Sequence, residues 1–64
     1  MHLSKREIDV YRLASSGFTG RYIAEKLCLS PRTVETHIRH IYEKTGVGSR
    51  DELIEYAERG EHAA

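Results

Sequence analysis

The feature that most constrains this chain is the dipeptide Ser30-Pro31. A serine at a helix N-cap accepts from a free backbone N–H, and a proline just after it loses nothing, because its missing N–H would have had no partner. The pair therefore fixes where one helix begins. It follows shortly after Ile23, Ala24 and Leu27, which fall on one face of a helix that Thr19 can cap. Two helices, at about 20–27 and about 31–45, must then be joined by a tight connection through Cys28 and Leu29. In the second, Val34, Ile38, Ile41 and Thr45 form one continuous stripe.

The flanking segments are punctuated in the same way. Ser4 and Glu7 have capping-box spacing, with Leu3 and Ile8 placed as a hydrophobic staple. They predict a first helix, α1, at about 5–16, with Val10, Leu13 and Ala14 inward, Tyr11 beside them and Gly17 as the stop. The two helices above become α2 and α3, and Gly46 caps α3 with Val47 as an apolar plug. Ser49 and Glu52 repeat the capping-box spacing and open α4 at about 50–58, whose apolar side is Leu53, Ile54, Tyr56 and Ala57. Gly60 ends it, and residues 61–64 are expected to fray. The fold class is all-α, a single four-helix domain over residues 1–64.

At 64 residues the chain buries only about 60% of its unfolded surface, too little for an enclosed catalytic site. No nucleophile is paired with a base, so the chain reads as a non-enzyme. The single cysteine, Cys28, allows no internal disulfide and reads as a small half-buried residue rather than a redox sensor. His37 and His40, even with His62 as a third ligand, lack the cysteine or carboxylate partners of a usual metal site, so no metal or cofactor is expected. No apolar run is long enough to span a membrane, and the first residues are no signal peptide.

The net charge of zero conceals an asymmetry. Residues 1–50 carry nine Lys and Arg against five acids, whereas residues 51–64 carry one against five. A basic body with an acidic last segment suits a polyanion on one face and another partner elsewhere. The α2–turn–α3 layout is that of a helix-turn-helix, whose second helix enters the DNA major groove. The outer face of α3 offers Arg32, Thr33, Glu35, Thr36, Arg39, His40 and Glu43, with no large apolar side chain. Its start, at residues 30–33, can anchor a phosphate through free N–H groups and the helix dipole. Arginine can pair with guanine, glutamate can accept from cytosine N4, and a threonine methyl can touch thymine. Glu35 and Arg39 also have the spacing of an ion pair that would orient Arg39 in the free protein.

These features, taken in order, resemble the DNA-binding domain of LuxR-type (GerE-like) bacterial transcription regulators. The resemblance runs from Leu3 to Ala57 and is carried by residues 3–7, Val10, Leu13, Gly17, Ile23-Ala24, Leu27, Ser30, Thr33-Val34, His37, Ile41, Lys44, Val47 and Ser49-Arg50. It implies sequence-specific binding of double-stranded DNA with α3 in the major groove, as a dimer on an inverted repeat. Glu35, Thr36 and Arg39 would meet bases, and Thr19, Arg32, Thr33, His40, Lys44 and Arg50 would meet phosphates. The fourth helix would be a dimerisation helix, using Leu53, Ile54, Tyr56 and Ala57 in a weak contact between two copies. RNA polymerase is a further partner of such a regulator, the compartment is the cytoplasm, and this segment makes no membrane contact. The segment then reads as the C-terminal piece of a longer regulator whose sensing part lies upstream.

Three positions depart from the family pattern. Tyr22 stands where glutamate is frequent, which removes the second half of a capping box on α2. Glu35 stands where many members have lysine, so their base preference does not transfer. Thr45 replaces a leucine or methionine and predicts a slightly underfilled core at the end of α3. The competing reading is a helical protein-interaction module that never touches DNA. Salt separates the two, because counterion release makes DNA binding weaken steeply as salt rises.

Overall fold

The computed structural model describes residues 2–60. The helices are α1 (Lys5–Ser15), α2 (Gly20–Leu27), α3 (Pro31–Thr45) and α4 (Arg50–Gly60), with no strand among the described residues. The expected boundaries hold to within two residues: Ser16 is the cap of α1 rather than its last residue, and α4 continues through Gly60. His62 and the expected fraying of residues 61–64 lie outside the described residues.

Local side chains set each helix start. Ser4 Oγ accepts from Glu7 N–H at 3.2 Å while Glu7 Oε1 accepts from Ser4 N–H at 3.0 Å, a complete capping box. Thr19 accepts from Tyr22 N–H at 3.1 Å, and no carboxylate returns the bond because residue 22 is tyrosine. Tyr22 instead stacks on Phe18, with ring centroids 4.5 Å apart. Ser30 accepts from Thr33 N–H at 3.1 Å. At α4 the expected box is shifted by one residue. Ser49 accepts from Glu52 N–H at 3.2 Å, but the Glu52 carboxylate takes the Gly48 N–H at 2.7 Å.

The turn between α2 and α3 closes through a left-handed residue that is not glycine. Cys28 has φ 57° and ψ 43°, and Leu29 N–H donates to Ala24 O at 2.8 Å. Its side chain is exposed, not half-buried as expected, because a left-handed helix cap carries its Cβ outward from the packed stripe. A left-handed conformation costs an ordinary residue about 1–2 kcal/mol, while glycine's greater freedom in the unfolded chain offsets part of any gain from replacing it. Cys28→Gly should therefore raise stability by up to about 1 kcal/mol, read from urea unfolding midpoints. Gly46 caps α3 at φ 82°, where glycine carries no such cost.

The core comprises Val10 and Ala14 of α1, Ile23 and Ala24 of α2, Val34 and Ile41 of α3, and Leu53 of α4. Leu13, Leu27, Leu29, Ile38 and Val47 pack partly buried around it. Thr45 closes the end of α3 by donating its hydroxyl to Ile41 O at 2.8 Å, satisfying the polar atom that a leucine there would lack. Packing joins α1 to α3 and α4, and α2 to α3. The tight α2–α3 connection thus leaves the outer face of α3 uncovered.

One charged residue sits inside this frame. Glu7 is only 5% exposed. Its carboxylate meets Lys44 Nζ at 2.9 Å and His40 Nδ1 at 3.4 Å, so it bolts the start of α1 to the last turns of α3. The Lys44 hydrogen bond, then the Ser4 N–H, then the Lys44 charge and His40 hold its pKa down from 4.5 to about 2, against the opposing effect of burial.

Candidate nucleic-acid interface

The outer face of α3 is built by the Ser30-Pro31 start and the inward stripe on its opposite side. Arg32, Glu35, Thr36, Arg39 and His40 are exposed, and Thr33 is half-buried. The expected base-reading group of Glu35, Thr36 and Arg39 therefore lies on one accessible surface. Thr36 Oγ1 donates to Arg32 O at 3.1 Å, turning its hydroxyl back onto its own helix. Its methyl is then the group left to meet a base. The expected ion pair between Glu35 and Arg39 is not formed, since neither joins any ion pair among the described residues. Two exposed long side chains gain too little from such a pair to offset the loss of rotamer freedom. Arg39 thus relies on no partner carboxylate.

The residues expected on phosphates divide into two groups. Thr19, exposed at the start of α2, and Arg32 and Thr33, at the start of α3, stand at the two helix N-termini beside the outer face. Thr33 Oγ1 lies 2.9 Å from Ser30 Oγ, so its hydroxyl is tied into the cap. His40, Lys44 and Arg50 hold internal partners. Lys44 and His40 are joined to Glu7, and Arg50 Nη1 donates to Phe18 O and, at 3.5 Å, to Ala14 O. Their first task is structural, and any phosphate must share them.

A groove of about 440 Å³ runs beside α3, lined by Gly20, Arg21, Pro31, Val34, Glu35, Ile38 and Arg50. It brings the start of α2, the flank of α3 and the start of α4 together. Arg21 is exposed, belongs to no ion pair among the described residues, and was missed by the sequence reading. Its signal was its position two residues after the Thr19 cap, in the first turn of α2. The groove has an apolar floor with cations at its rim, a chemistry that suits the sugar–phosphate backbone. Glu35 at the same edge opposes any anion there and favours a base donor.

The fourth helix differs from the reading that it offers an apolar face to a second copy. Leu53 is fully buried and Ala57 is 8% exposed, both turned onto the protein's own core. A domain this small needs that face of α4 to complete its interior, so Leu53 and Ala57 are already covered within one copy. Ile54 and Tyr56 are half-buried at the edges, and Asp51, Glu52, Glu55 and Glu58 are exposed. His37 and His40 are also divided: His40 turns to Glu7, while His37 Nδ1 is enclosed without a hydrogen-bond partner. No described helix is long and apolar enough to cross a membrane.

Comparison with known proteins agrees with the geometry. Residues 1–57 match the family described as bacterial regulatory proteins, luxR family. A helix-turn-helix-type transcriptional regulator of Mycobacterium bovis is 47% identical over 57 residues, covering 89% of this chain but 6% of that protein. Its counterpart in Mycobacterium tuberculosis shows the same identity and coverage. The oxygen regulatory protein NreC of Staphylococcus aureus is 49% identical over 55 residues, covering 86% of this chain and 25% of that protein. The chain therefore spans a quarter or less of the length of these relatives.

Proposed function

Because the chain belongs to the luxR family of bacterial regulatory proteins, whose helix-turn-helix domains bind DNA to regulate transcription, we propose that it reads a specific duplex sequence with α3 in the major groove. The observation that carries this reading is the uncovered outer face of α3, where Glu35, Thr36 and Arg39 stand together and exposed. Arg39 pairs with guanine, Glu35 accepts from cytosine N4, and the Thr36 methyl meets thymine. Thr19, Arg32 and Thr33 hold the backbone, joined by Arg21, while His40 and Lys44 reach it only by sharing with Glu7, and Arg50 only by sharing with the Ala14 and Phe18 carbonyls.

Two copies bind an inverted repeat, each inserting one recognition helix. Their mutual contact runs along the edges of α4, through Ile54 and Tyr56. The carboxylates of Asp51, Glu55 and Glu58 border it and keep it weak away from DNA. RNA polymerase is the further partner this role implies, and the cytoplasm is the compartment.

Arg39→Ala should weaken binding to the preferred site by about 1–3 kcal/mol and relax discrimination at one base position. Selection from a random duplex library, run on the native protein and on the variant, measures both effects. Failure of the native protein to enrich any motif would refute the sequence-specific reading.

A further inference from the structure

Lys44 stands between two anions. In the free protein its Nζ lies 2.9 Å from Glu7 Oε1, and on DNA a backbone phosphate competes for the same ammonium group. Glu7 is only 5% exposed, so water cannot stand in for a departing cation. Its Oε1 keeps the Ser4 N–H at 3.0 Å, whereas the partner within reach of Oε2 is His40 Nδ1, at 3.4 Å. The His40 side chain is 48% exposed and exchanges protons freely with solvent. Besides Glu7 of α1, the titratable groups around His40 are those of its own helix within about one turn: His37, Arg39, Glu43 and Lys44. Glu43 is exposed and joins no ion pair among the described residues, and His37 Nδ1 is enclosed without a hydrogen-bond partner. Of the two histidines on α3, His40 is the one with a carboxylate in reach.

A neutral imidazole offers a carboxylate at most a hydrogen bond, while an imidazolium offers a full charge. With Lys44 on Glu7 the carboxylate is already neutralised, and a second cation beside it gains little. Once Lys44 leaves, that cation gains most. Resting on the DNA-binding reading, we propose that His40 is a positioning residue: it takes up a proton as the duplex binds, replaces Lys44 as the partner of Glu7, and releases Lys44 to a backbone phosphate. The proton comes from solvent. A buffer acid or hydronium loses it, the unprotonated imidazole nitrogen gains it, and no other bond changes. Glu7 stays ionised throughout, because its pKa lies at about 2, far below the range in which histidines change charge. The bound protein holds the extra proton, so duplex affinity rises as pH falls.

The probe is a duplex of fixed mixed sequence at constant low salt, since a backbone contact needs no particular bases. Calorimetric titrations in two buffers of different ionisation heat give the protons taken up per protein bound. The native protein should take up a measurable fraction of one proton, and its affinity should rise about fivefold from about pH 8 to about pH 6. His40→Gln, at an exposed position, keeps a polar side chain without the titration and should show no uptake and a flat pH profile. Glu7→Gln keeps a side chain able to cap α1 and removes the charge to be compensated, so its uptake should also vanish. Melting curves establish that both variants are folded, and the His40→Gln result stands alone if Glu7→Gln is not. Uptake that persists in His40→Gln places the proton on another group and overturns the proposal. Uptake that persists in folded Glu7→Gln shows His40 serving the phosphate directly, which overturns it as well. Duplex binding with no uptake and no pH dependence overturns it while leaving the DNA-binding reading intact. Absence of duplex binding at every pH removes that reading, and the proposal with it.

Discussion

Leu53→Ala is expected to destabilise the monomer by about 3 kcal/mol, the loss typical of a fully buried leucine whose surroundings relax only in part. Leu53 has no exposed surface, and it joins α4 to a core otherwise supplied by α1, α2 and α3. For a domain of this size that loss lowers the melting temperature by roughly 12–24 °C, against a total stability at the low end of the usual range. The measurement is thermal unfolding of the free protein at low concentration. If Leu53 served chiefly as a contact between copies, the substitution would leave the monomer's melting temperature unchanged and abolish only the two-to-one complex on a palindromic duplex. Ile54, half-buried at the edge of the same helix, should show the reverse pattern when replaced by serine.

The second large effect is expected at Lys44. Lys44→Ala leaves the Glu7 carboxylate buried with only the Ser4 N–H and His40 beside it. Stranding a buried charge costs several kcal/mol when both partners are enclosed; with Lys44 part-exposed the loss should be about 2 kcal/mol. The pH dependence has a definite sign. The folded pKa of Glu7 lies at about 2, below the ordinary 4.5, so its ionised form favours the folded state. This contribution is fully present above 4.5 and is lost as pH falls towards 2. Removing Lys44 raises the folded pKa, so the variant should begin acid unfolding at a higher pH than the native protein. Circular dichroism over an acid titration reads this directly. An unchanged acid midpoint would show that Lys44 does not hold the carboxylate. The same substitution is a poor probe of phosphate contact, since it loosens α1 from α3 as well. Arg32→Ala, with no internal ion pair to lose, is the cleaner probe of the salt slope.

What could be read in the sequence was what is written locally. The starts of α1, α2 and α3 were legible because a cap and the N–H that donates to it lie within one turn, as Ser4 with Glu7 and Ser30 with Thr33 do. The exposed face of α3 followed from the same periodicity that buries Val34 and Ile41. The links between distant residues were not legible. Glu7 and Lys44 are 37 positions apart, and each had a sufficient local reading, one as a cap and the other as a phosphate contact. Arg50 and Phe18 are 32 positions apart, and a backbone carbonyl leaves no trace in sequence. At α4, periodicity found the apolar side but could not say what covers it. The same pattern describes a helix buried in its own core and one buried against a second copy. Cys28 was misread because a left-handed cap is usually announced by glycine or asparagine.

The Arg50 guanidinium ties the first turn of α4 to the carbonyls of Ala14 and Phe18, just before the Thr19 cap of α2. In the proposed complex, the end of the domain that would face a twin is thereby clamped to the end that would rest on DNA. Two copies touching along α4 would form a caliper with little play, its jaws separated by a length set within each protomer. Such a device measures as well as reads. Half-sites held one helical turn apart, about 34–36 Å, would be gripped together, while a single inserted base pair would turn one of them away from its jaw.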